Sequence, residues 1–368
     1  MYQPTTITSK ELVPDGPYPV YGANGVIGRY DRFNHEAPQL LITCRGATCG
    51  TVNVSEPKSW ITGNSMVVRP KTPAIELHFL EYFFRGGVDI GPAITGAAQP
   101  QITRANLNPI SICYPSSLDE QRRIVAILDE VFEGIATAKA NAEKNLQNAR
   151  ELFESQLDSE LNRHADGYVA TTLGAEVDLL AGYAFSSGSY ADAAGDVRLL
   201  RGDNIMQGYL RWEDAKRWPA SDCAAYARFA LREGDVVLAM DRPWVKAGLK
   251  RAQISGEDLP CLQVQRTARL RPRQALREDF LFHLTGSQSF SRHLLEVQTG
   301  IGVPHISGKQ IESFKFMRPP LNEQASIAGR LSELHESTQQ LTDIYQRKLT
   351  ALEELKKSLL HQAFSGQL

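Results

Sequence analysis

One pattern occurs twice in this sequence, about two hundred residues apart. The stretch YPSSLDEQRRIVAIL at 114–128 is echoed by RPPLNEQASIAGRL at 318–331. The LDEQ that begins at Leu118 lies 203 positions before the LNEQ that begins at Leu321. A pattern repeated at a fixed offset predicts two copies of one structural unit. This repeat constrains the fold more than any composition value does.

The similarity continues upstream of both tetrapeptides. QPQITRANL at 99–107 aligns with VPHISGKQI at 303–311 at an offset of 204. Each copy therefore contains a loop, a strand-like run, a proline and a helix start in the same order. This order predicts a domain followed by a helix, made twice.

Long amphipathic helices are predicted after both tetrapeptides. From Leu118 to about Arg163, and again from Leu321 onward, apolar or small residues recur in alternating steps of three and four without an internal proline. A long helix with one narrow apolar seam needs a partner of similar length. The expected partner is the other helix, in a coiled-coil pair.

Short strands and helices are predicted for the rest of the chain. Apolar, β-branched runs broken by glycine occur at 38–54 and 59–70, and a helical stretch ended by glycine follows at 74–87. The second half has the same order, with strands in 234–254 and 261–272 and a helix in 277–300. The fold class is therefore mixed α/β with an internal pseudo-two-fold repeat.

Charge is distributed unevenly over the four predicted segments, which are globular domains at 1–117 and 168–320 and helices at 118–167 and 321–368. The formal net charge of the chain is −2, but the globular segments together carry +4 and the helices −6. Phosphate binding depends on local positive charge. The globular segments are therefore the candidates for binding nucleic acid.

Several function classes are disfavoured by the sequence. No apolar stretch reaches the roughly 18 residues of a membrane helix, and the first residues do not resemble a signal peptide, so we expect a cytoplasmic protein without membrane contact. The five cysteines form no C-x-x-C pair, and free thiols rather than a metal site are expected. A methyltransferase Pro-Pro-aromatic loop and a G-x-x-x-x-G-K-[ST] loop are both missing. We therefore expect neither catalysis nor a cofactor in this chain.

The basic run at 242–277 is the strongest candidate for nucleic-acid contact, with nine Lys or Arg against two acidic residues. Arginine can bind guanine, glutamine can bind adenine, and lysine suits phosphate. Strand alternation would place Gln263, Gln265, Thr267 and Arg269 on one face. A solvated basic surface is the alternative interpretation of the run.

Other candidates lie in loops. Arg45 and Arg242 each follow an apolar strand, which indicates a shared task such as clamping a phosphate. Gln99 and His305 lie in glycine-rich turns before the helices, where shaping of the turn is the alternative role. The predicted DNA-contacting residues are Tyr21, Asn24, Arg45, Gln99, Arg104, Arg201, Arg242, Trp244, Lys246, Lys250, Arg266, Arg269 and His305. For the aromatic residues, core packing is the alternative.

The ordered motifs of the chain resemble those of the DNA-specificity subunit of type I restriction-modification systems. They are YPVYGANGVIGRYDRFN, LLITCRGATCG, WITGNSMVV, GAAQPQIT, PSSLDEQRRIVAIL, PPLNEQASIAGRL and LLHQAFSGQL, and they span nearly the whole chain. The resemblance implies two target-recognition domains that each read half of a split double-stranded DNA site. Two antiparallel helices would hold these domains apart.

The same resemblance implies partners. The helices would dock two copies of a methyltransferase subunit, and a restriction or translocase subunit would join through the complex. S-adenosylmethionine, and ATP with Mg for restriction, are then expected in those partner subunits. The residues expected at the docking sites are Leu118, Glu120, Gln121, Leu321, Glu323 and Gln324. Simple capping of the helix N-termini by Asp119 or Asn322 is the alternative role of the tetrapeptides.

The first half departs from the family pattern. The second half opens with a strand and a Leu-Gly pair within 168–187, whereas the first half reaches YPVYGANG within 25 residues of Met1. We therefore expect the first recognition domain to lack its opening segment.

The alternative function of the whole chain is that of a coiled-coil scaffold or assembly protein whose globular domains bind protein.

Overall fold

The chain divides into two units, and each unit contains part of both long helices. The structure is a computed structural model that describes residues 1–163, 165–193, 195–246, 248–299 and 304–368. Unit 1 comprises Met1–Lys144 with Tyr345–Leu368, and unit 2 comprises Asn145–Ile344.

Unit 1 contains two three-stranded sheets. Its elements are β1 (Tyr18–Gly22), β2 (Gly25–Tyr30), β3 (Leu40–Thr43), β4 (Val52–Val54), β5 (Trp60–Ile61), β6 (Ser65–Val68), α1 (Leu77–Tyr82), α2 (Arg104–Leu107) and the first part of α3 (Leu118–Leu161). In one sheet β1 pairs antiparallel with β2 and parallel with β5. In the other, β3 lies between β4 and β6, and both pairings are antiparallel.

Unit 2 repeats this plan and adds to it. Its strands are β7 (Val169–Thr172), β8 (Val177–Ala181), β9 (Val197–Leu200), β10 (Arg217–Trp218), β11 (Val236–Ala239), β12 (Trp244–Val245), β13 (Gly248–Leu249), β14 (Arg251–Gln253), β15 (Cys261–Gln263), β16 (Thr267–Pro272) and β17 (Lys315–Arg318). Its helices are the end of α3, α4 (Leu173–Glu176), α5 (Glu278–Gly286), α6 (Gln288–Val297), α7 (Gly308–Glu312) and the start of α8 (Leu321–Ser365).

The sheets of the two units correspond strand by strand. The order β10-β9-β15 in unit 2 matches β2-β1-β5 in unit 1, including the parallel pair, and β14-β11-β16 matches β4-β3-β6. The second sheet of unit 2 has one further strand, because β8 pairs with β16. At the matching edge of unit 1, β6 is paired through a single bridge between Tyr2 and Val67.

The two long helices are confirmed, with 44 residues in α3 and 45 in α8. Within unit 1, Lys139 Nζ lies 2.7 Å from Glu353 Oε1, and Arg123 donates to the backbone oxygen of Leu368. Within unit 2, Arg330 lies 2.7 Å from Glu160, and the ring of His335 lies 5.2 Å from that of Phe153. In both units, as the contacting residue moves forward along α3, its partner moves backward along α8. The helix segments of each unit are therefore antiparallel.

Each unit has its own apolar core beneath its helix segments. In unit 1, Phe79 of α1 packs with Ile124 and Leu128 of α3 and with Leu360 of α8. In unit 2, Phe280 of α5 belongs to one cluster with the α3 and α8 residues Leu157, Leu161, Ile327 and Leu331. The periodic apolar residues near the ends of both long helices are thus the residues that the short helices cover.

Candidate DNA interface

Unit 2 contains a polar cleft of about 510 Å³ between the ends of several strands. Four of the predicted DNA-contacting residues line it, namely Arg201, Arg242, Lys250 and Arg266. They come from the loop after β9, the loop after β11, the position just before β14 and the β15–β16 turn. The cleft also contains Gln265, which the sequence placed on the polar strand face, and Tyr190, Asp203 and Asp241, which the sequence did not single out.

Asp241 contacts two of the predicted DNA-contacting residues at once. One carboxylate oxygen accepts a hydrogen bond from His305 Nδ1, and the other lies 3.1 Å from Nε of Arg266. Because a carboxylate can only accept, this contact places a proton on Nδ1 of His305. Asp241 and His305 are also joined by a backbone bridge. Asp241 therefore brings together three side chains from distant parts of the sequence.

The other cations of the cleft differ in their surroundings. Arg201 lies 3.3 Å from Asp203, whereas the Arg242 side chain is exposed and makes no ion pair with the described residues. Lys250 is mostly buried, and this burial lowers its pKa, although the nearby Asp203 carboxylate opposes the shift. Arg242 has the least hindered positive charge of the four, which suits a phosphate.

Two further candidates in the same stretch lie outside the cleft lining. Trp244 is half-buried against the core and donates its indole N–H to Gln298 at 2.9 Å. This placement favours the packing role for Trp244. Lys246 is exposed in the turn that joins β12 to β13.

The prediction that Arg269 contacts DNA is wrong, because the structure buries this residue with 4% of its surface exposed. Its guanidinium is bonded to Asp178 of the neighbouring strand β8. The predicted polar strand face points inward as well, since Gln263 is buried and donates to the backbone oxygens of Leu180 and Thr267. Gln265 and Arg266 form a turn between β15 and β16, which belong to different sheets, and this turn interrupts the alternation. The turn residues, rather than Arg269, are therefore accessible to a ligand.

Unit 1 builds the same backbone frame around Arg45. Arg45 bridges Gln101, and Thr95 bridges Gln101 as well; in unit 2, Asp241 and Thr299 bridge His305 in the same way. The amide of Gly46 donates to Pro100 at 3.0 Å, as that of Arg242 does to Pro304.

These bonds correct the sequence alignment of the two halves. Arg45 matches Asp241, not Arg242, and Gly46 matches Arg242. The match between Gly46 and Arg242 is also supported by a positive φ at both positions, 88° and 46°. The prediction that Arg45 and Arg242 occupy equivalent positions, with a shared task such as clamping a phosphate, is therefore wrong, because the two positions differ by one residue.

The remaining unit 1 candidates divide by accessibility. Asn24 is exposed in the β1–β2 turn, which is bonded to the end of β3 through Thr43, so it lies near the loop of Arg45. Gln99 and Arg104 are exposed as well. The prediction that Tyr21 contacts DNA is wrong, because this residue is buried and its hydroxyl accepts a hydrogen bond from the Glu56 amide at 3.1 Å.

The structure shows that the residue matching His305 is Gln101, which is exposed. The offset of 204 already paired Gln101 with His305, so the signal was present in the sequence. Gln99 aligns instead with Val303, which lies outside the described residues.

The prediction that the glutamines of the repeated tetrapeptides dock a partner is also wrong, because both are fully buried at 0% exposure. Gln121 accepts from the Glu76 amide and donates to the backbone oxygens of Ala74 and Pro115, at 2.8 to 2.9 Å. Gln324 makes the same three bonds to Arg277, Ala275 and Pro319, also at 2.8 to 2.9 Å. We call these two sets the glutamine clamps. A clamped glutamine is not available to a docking partner.

The other predicted docking residues remain at the surface. Leu321 is 49% exposed, Leu118 is half-buried, Glu120 pairs with Arg123, and Glu323 is half-buried. Capping differs from the expectation, because Ser117 rather than Asp119 accepts from the first turn of α3. The helix segments of unit 2 also carry the exposed apolar residues Leu152, Leu341 and Ile344, although the steps of three and four place Leu152 and Leu341 in the predicted apolar seam.

The two related α/β units, each followed by a long helix, define a duplicated domain-and-helix protein. The family model described as type I restriction modification DNA specificity domain matches residues 3–147 and 225–353. These matches cover well over half of the chain, so this protein belongs to the type I restriction-modification DNA specificity family. The family resemblance noted from the sequence motifs is thereby confirmed.

Individual proteins show the same relationship. The chain is 32% identical over 198 residues to the type I restriction enzyme EcoAI specificity subunit of Escherichia coli, a match that spans 54% of this chain and 32% of that relative. It is 24% identical to the MjaVIII specificity subunit of Methanocaldococcus jannaschii, over 100% of this chain and 89% of the relative. The match thus spans about a third of one relative and most of the other.

Two solved structures share the fold. One, from work on complex assembly and conformational transition of the type I R-M system, has a TM-score of 0.75 and 19% identity, covering 91% of this chain and 83% of that chain. The HsdS subunit from Thermoanaerobacter tengcongensis has a TM-score of 0.55 and 18% identity, covering 91% and 82%. Among the described residues, no helix is both long and apolar enough to cross a membrane.

Proposed function

We propose that this chain is the non-catalytic specificity subunit of a type I restriction-modification complex, in which each unit reads one half of a split double-stranded DNA site. The observation that carries the proposal is the cleft of unit 2, where four cationic side chains converge from separate segments between strands. Phosphate binding requires such a local concentration of positive charge, whatever the net charge of the chain. Unit 1 supports the proposal through the same backbone frame, with Arg45 and Gln101 exposed.

A salt series of DNA binding tests this function. With a methyltransferase partner present, the affinity for duplex DNA should fall with salt at a log–log slope of about −0.9 for each phosphate contacted. Substitution of Arg242 by Ala should weaken binding to all sequences. A chain that binds partner proteins but shifts no DNA at any salt concentration would instead act as a coiled-coil scaffold.

We further propose that the helices recruit two methyltransferase subunits, through which a restriction or translocase subunit joins. S-adenosylmethionine, and ATP with Mg, would be bound by those partners. The exposed apolar side chains of Leu341 and Ile344 lie three residues apart on α8, where a partner helix could bury them. Sedimentation of the mixed subunits should show two methyltransferase copies, and Ile344→Glu should reduce that number while Gln339→Glu, on the exposed surface of the same helix, should not.

Helix length is proposed to set the spacer between the two half-sites. Insertion of seven residues into both α3 and α8 preserves the apolar period. Methylation sequencing of cells that carry the longer chain should show the same half-sites with a changed spacer. An unchanged spacer would contradict this part of the proposal.

A further inference from the structure

We infer that Arg266 reads a guanine in the half-site of unit 2, and that Asp241 is the residue that positions it. This inference rests on the proposed DNA-reading function and assigns a role to one arginine of the cleft. Arg266 stands in the two-residue turn between β15 and β16, and its side chain is 70% exposed.

The backbone of this turn is held rigidly. The Arg266 oxygen accepts from the Met240 amide at 2.8 Å, and the preceding Gln265 amide donates to Tyr183 at 2.7 Å. Arg266 has a φ of 65°, in the left-handed region that costs free energy for a residue with a side chain. A strained residue that its neighbours hold in place is a common feature of binding sites.

The side chain is held as well, through Nε. Asp241 lies 3.1 Å from this nitrogen, and the second oxygen of Asp241 is bonded to His305. The two terminal nitrogens of Arg266 make no hydrogen bond with the described residues. A pair of free, parallel N–H donors matches the O6 and N7 acceptors on the major-groove edge of guanine.

Asp241 also discriminates between a base and a phosphate as the ligand. A carboxylate beside the guanidinium cancels much of its attraction for a phosphate, because the two negative groups repel each other. The hydrogen-bond donors remain available to a neutral acceptor such as a base edge. Arg242 in the same cleft has no such carboxylate partner among the described residues, so it retains its full charge for the DNA backbone.

Unit 1 lacks this arrangement at the matching positions. The Cys44 amide donates to Asn64 as the Met240 amide donates to Arg266, so Asn64 takes the place of Arg266. Arg45 takes the place of Asp241. The inferred guanine contact therefore belongs to the unit 2 half-site alone.

The test uses the full chain assembled with its methyltransferase partner and a duplex library that is randomised over both half-sites. Arg266→Ala should lower the preference for guanine at one position of one half-site by about ten- to a hundredfold, with the salt slope unchanged. Arg266→Lys should not restore the preference, because lysine lacks the paired donors. Asp241→Asn should relax the same position less strongly. Arg242→Ala, the matched control, should weaken binding to all sequences and reduce the salt slope by about one.

Two results would overturn the inference while leaving the proposed function intact. One is an Arg266→Ala protein that keeps every base preference of the wild type. The other is an Arg266→Ala protein that weakens binding evenly and lowers the salt slope, as a phosphate contact does. If the wild-type complex itself shows no base preference in either half-site, the proposed function fails. Thermal unfolding of each variant shows whether the exposed turn has kept its fold.

Discussion

Helix α1 of unit 1 and helix α5 of unit 2 are each tied to a long helix by one side-chain hydrogen bond, but the bonding pairs differ. In unit 1 the Tyr82 hydroxyl donates to Asp129 of α3, and in unit 2 His283 is bonded to Ser332 of α8 at 3.1 Å. Asp129 and Ser332 are 203 positions apart, the same offset as the glutamine clamps. The two residues of this side-chain pair therefore differ between the units. The glutamine clamps, which bind backbone groups, are the same in both units.

The difference shows where the two copies were free to diverge. A bond between two side chains can be replaced by another pair of similar length. A glutamine that accepts from one amide and donates to two carbonyl groups has no other residue type of the same size and polarity as a substitute.

Loss of a clamp should have the largest effect on stability. Gln121→Ala and Gln324→Ala should each lower the free energy of unfolding by about 3 kcal/mol, because each leaves buried backbone groups without partners. The losses should be similar in the two units, since the three bonds are the same. Urea unfolding measures both, and Gln147→Ala on the exposed surface of α3 is the control. A clear loss in only one unit would show that the clamps are not equivalent.

Low pH should destabilise unit 2 through protonation of His283. Burial, reinforced by the nearby Arg251 charge, lowers the pKa of His283 to about 4. The unfolded histidine binds a proton below about pH 6.5 and the folded one does not, so stability is present above that pH and declines as pH falls towards 4. The decline should approach about 3 kcal/mol. In urea unfolding at several pH values, His283→Gln should flatten this dependence, and an unchanged slope would contradict the assignment.

Base should act on unit 1 through Tyr82, in the opposite direction. Burial and the bond to Asp129 raise the pKa of Tyr82 above its ordinary value. The neutral phenol is favoured in the folded state, so its contribution to stability is present below about pH 10 and is lost as pH rises further. Tyr82→Phe should remove this alkaline loss in a pH series of thermal unfolding. A loss of the same size in the phenylalanine variant would exclude Tyr82 as the cause.

The smallest expected effects concern DNA binding by the two matched loops. Arg45→Ala and Arg242→Ala should each weaken binding several-fold and reduce the salt slope by about one, as the loss of one phosphate contact does. Asp241→Ala should not reduce the slope, because Asp241 carries no positive charge and its loss removes no phosphate contact. A changed slope for Arg242 but not for Arg45 would show that the two loops do different tasks despite their shared frame.

Sequence patterns predicted the helices well because an apolar period without proline is a local signal that needs no knowledge of distant segments. The residues at steps of three and four, such as Ile124 and Leu331, are the residues that α1 and α5 cover. The order of strands was also predictable, since both halves repeat it. The exact match between halves was not, because Arg45 aligns with Asp241 only once the backbone bridges are known.

The roles of single polar residues were the least predictable feature. Arg266 and Arg269 are three positions apart in one basic run, yet one is 70% exposed in its side chain and the other is buried against Asp178. The turn at Gln265 and Arg266 separates them, and the partner strand β8 that buries Arg269 lies about ninety residues earlier. Such a contact between distant segments leaves no trace in the local pattern.

The glutamine clamps have a consequence for how such chains can change. Each clamp recognises the path of the main chain and none of the side chains it passes. The joint therefore accepts any domain whose backbone arrives along the same path, whatever residues that domain carries. A connector of this kind lets the reading surface be replaced as a whole while the helix beneath it stays the same.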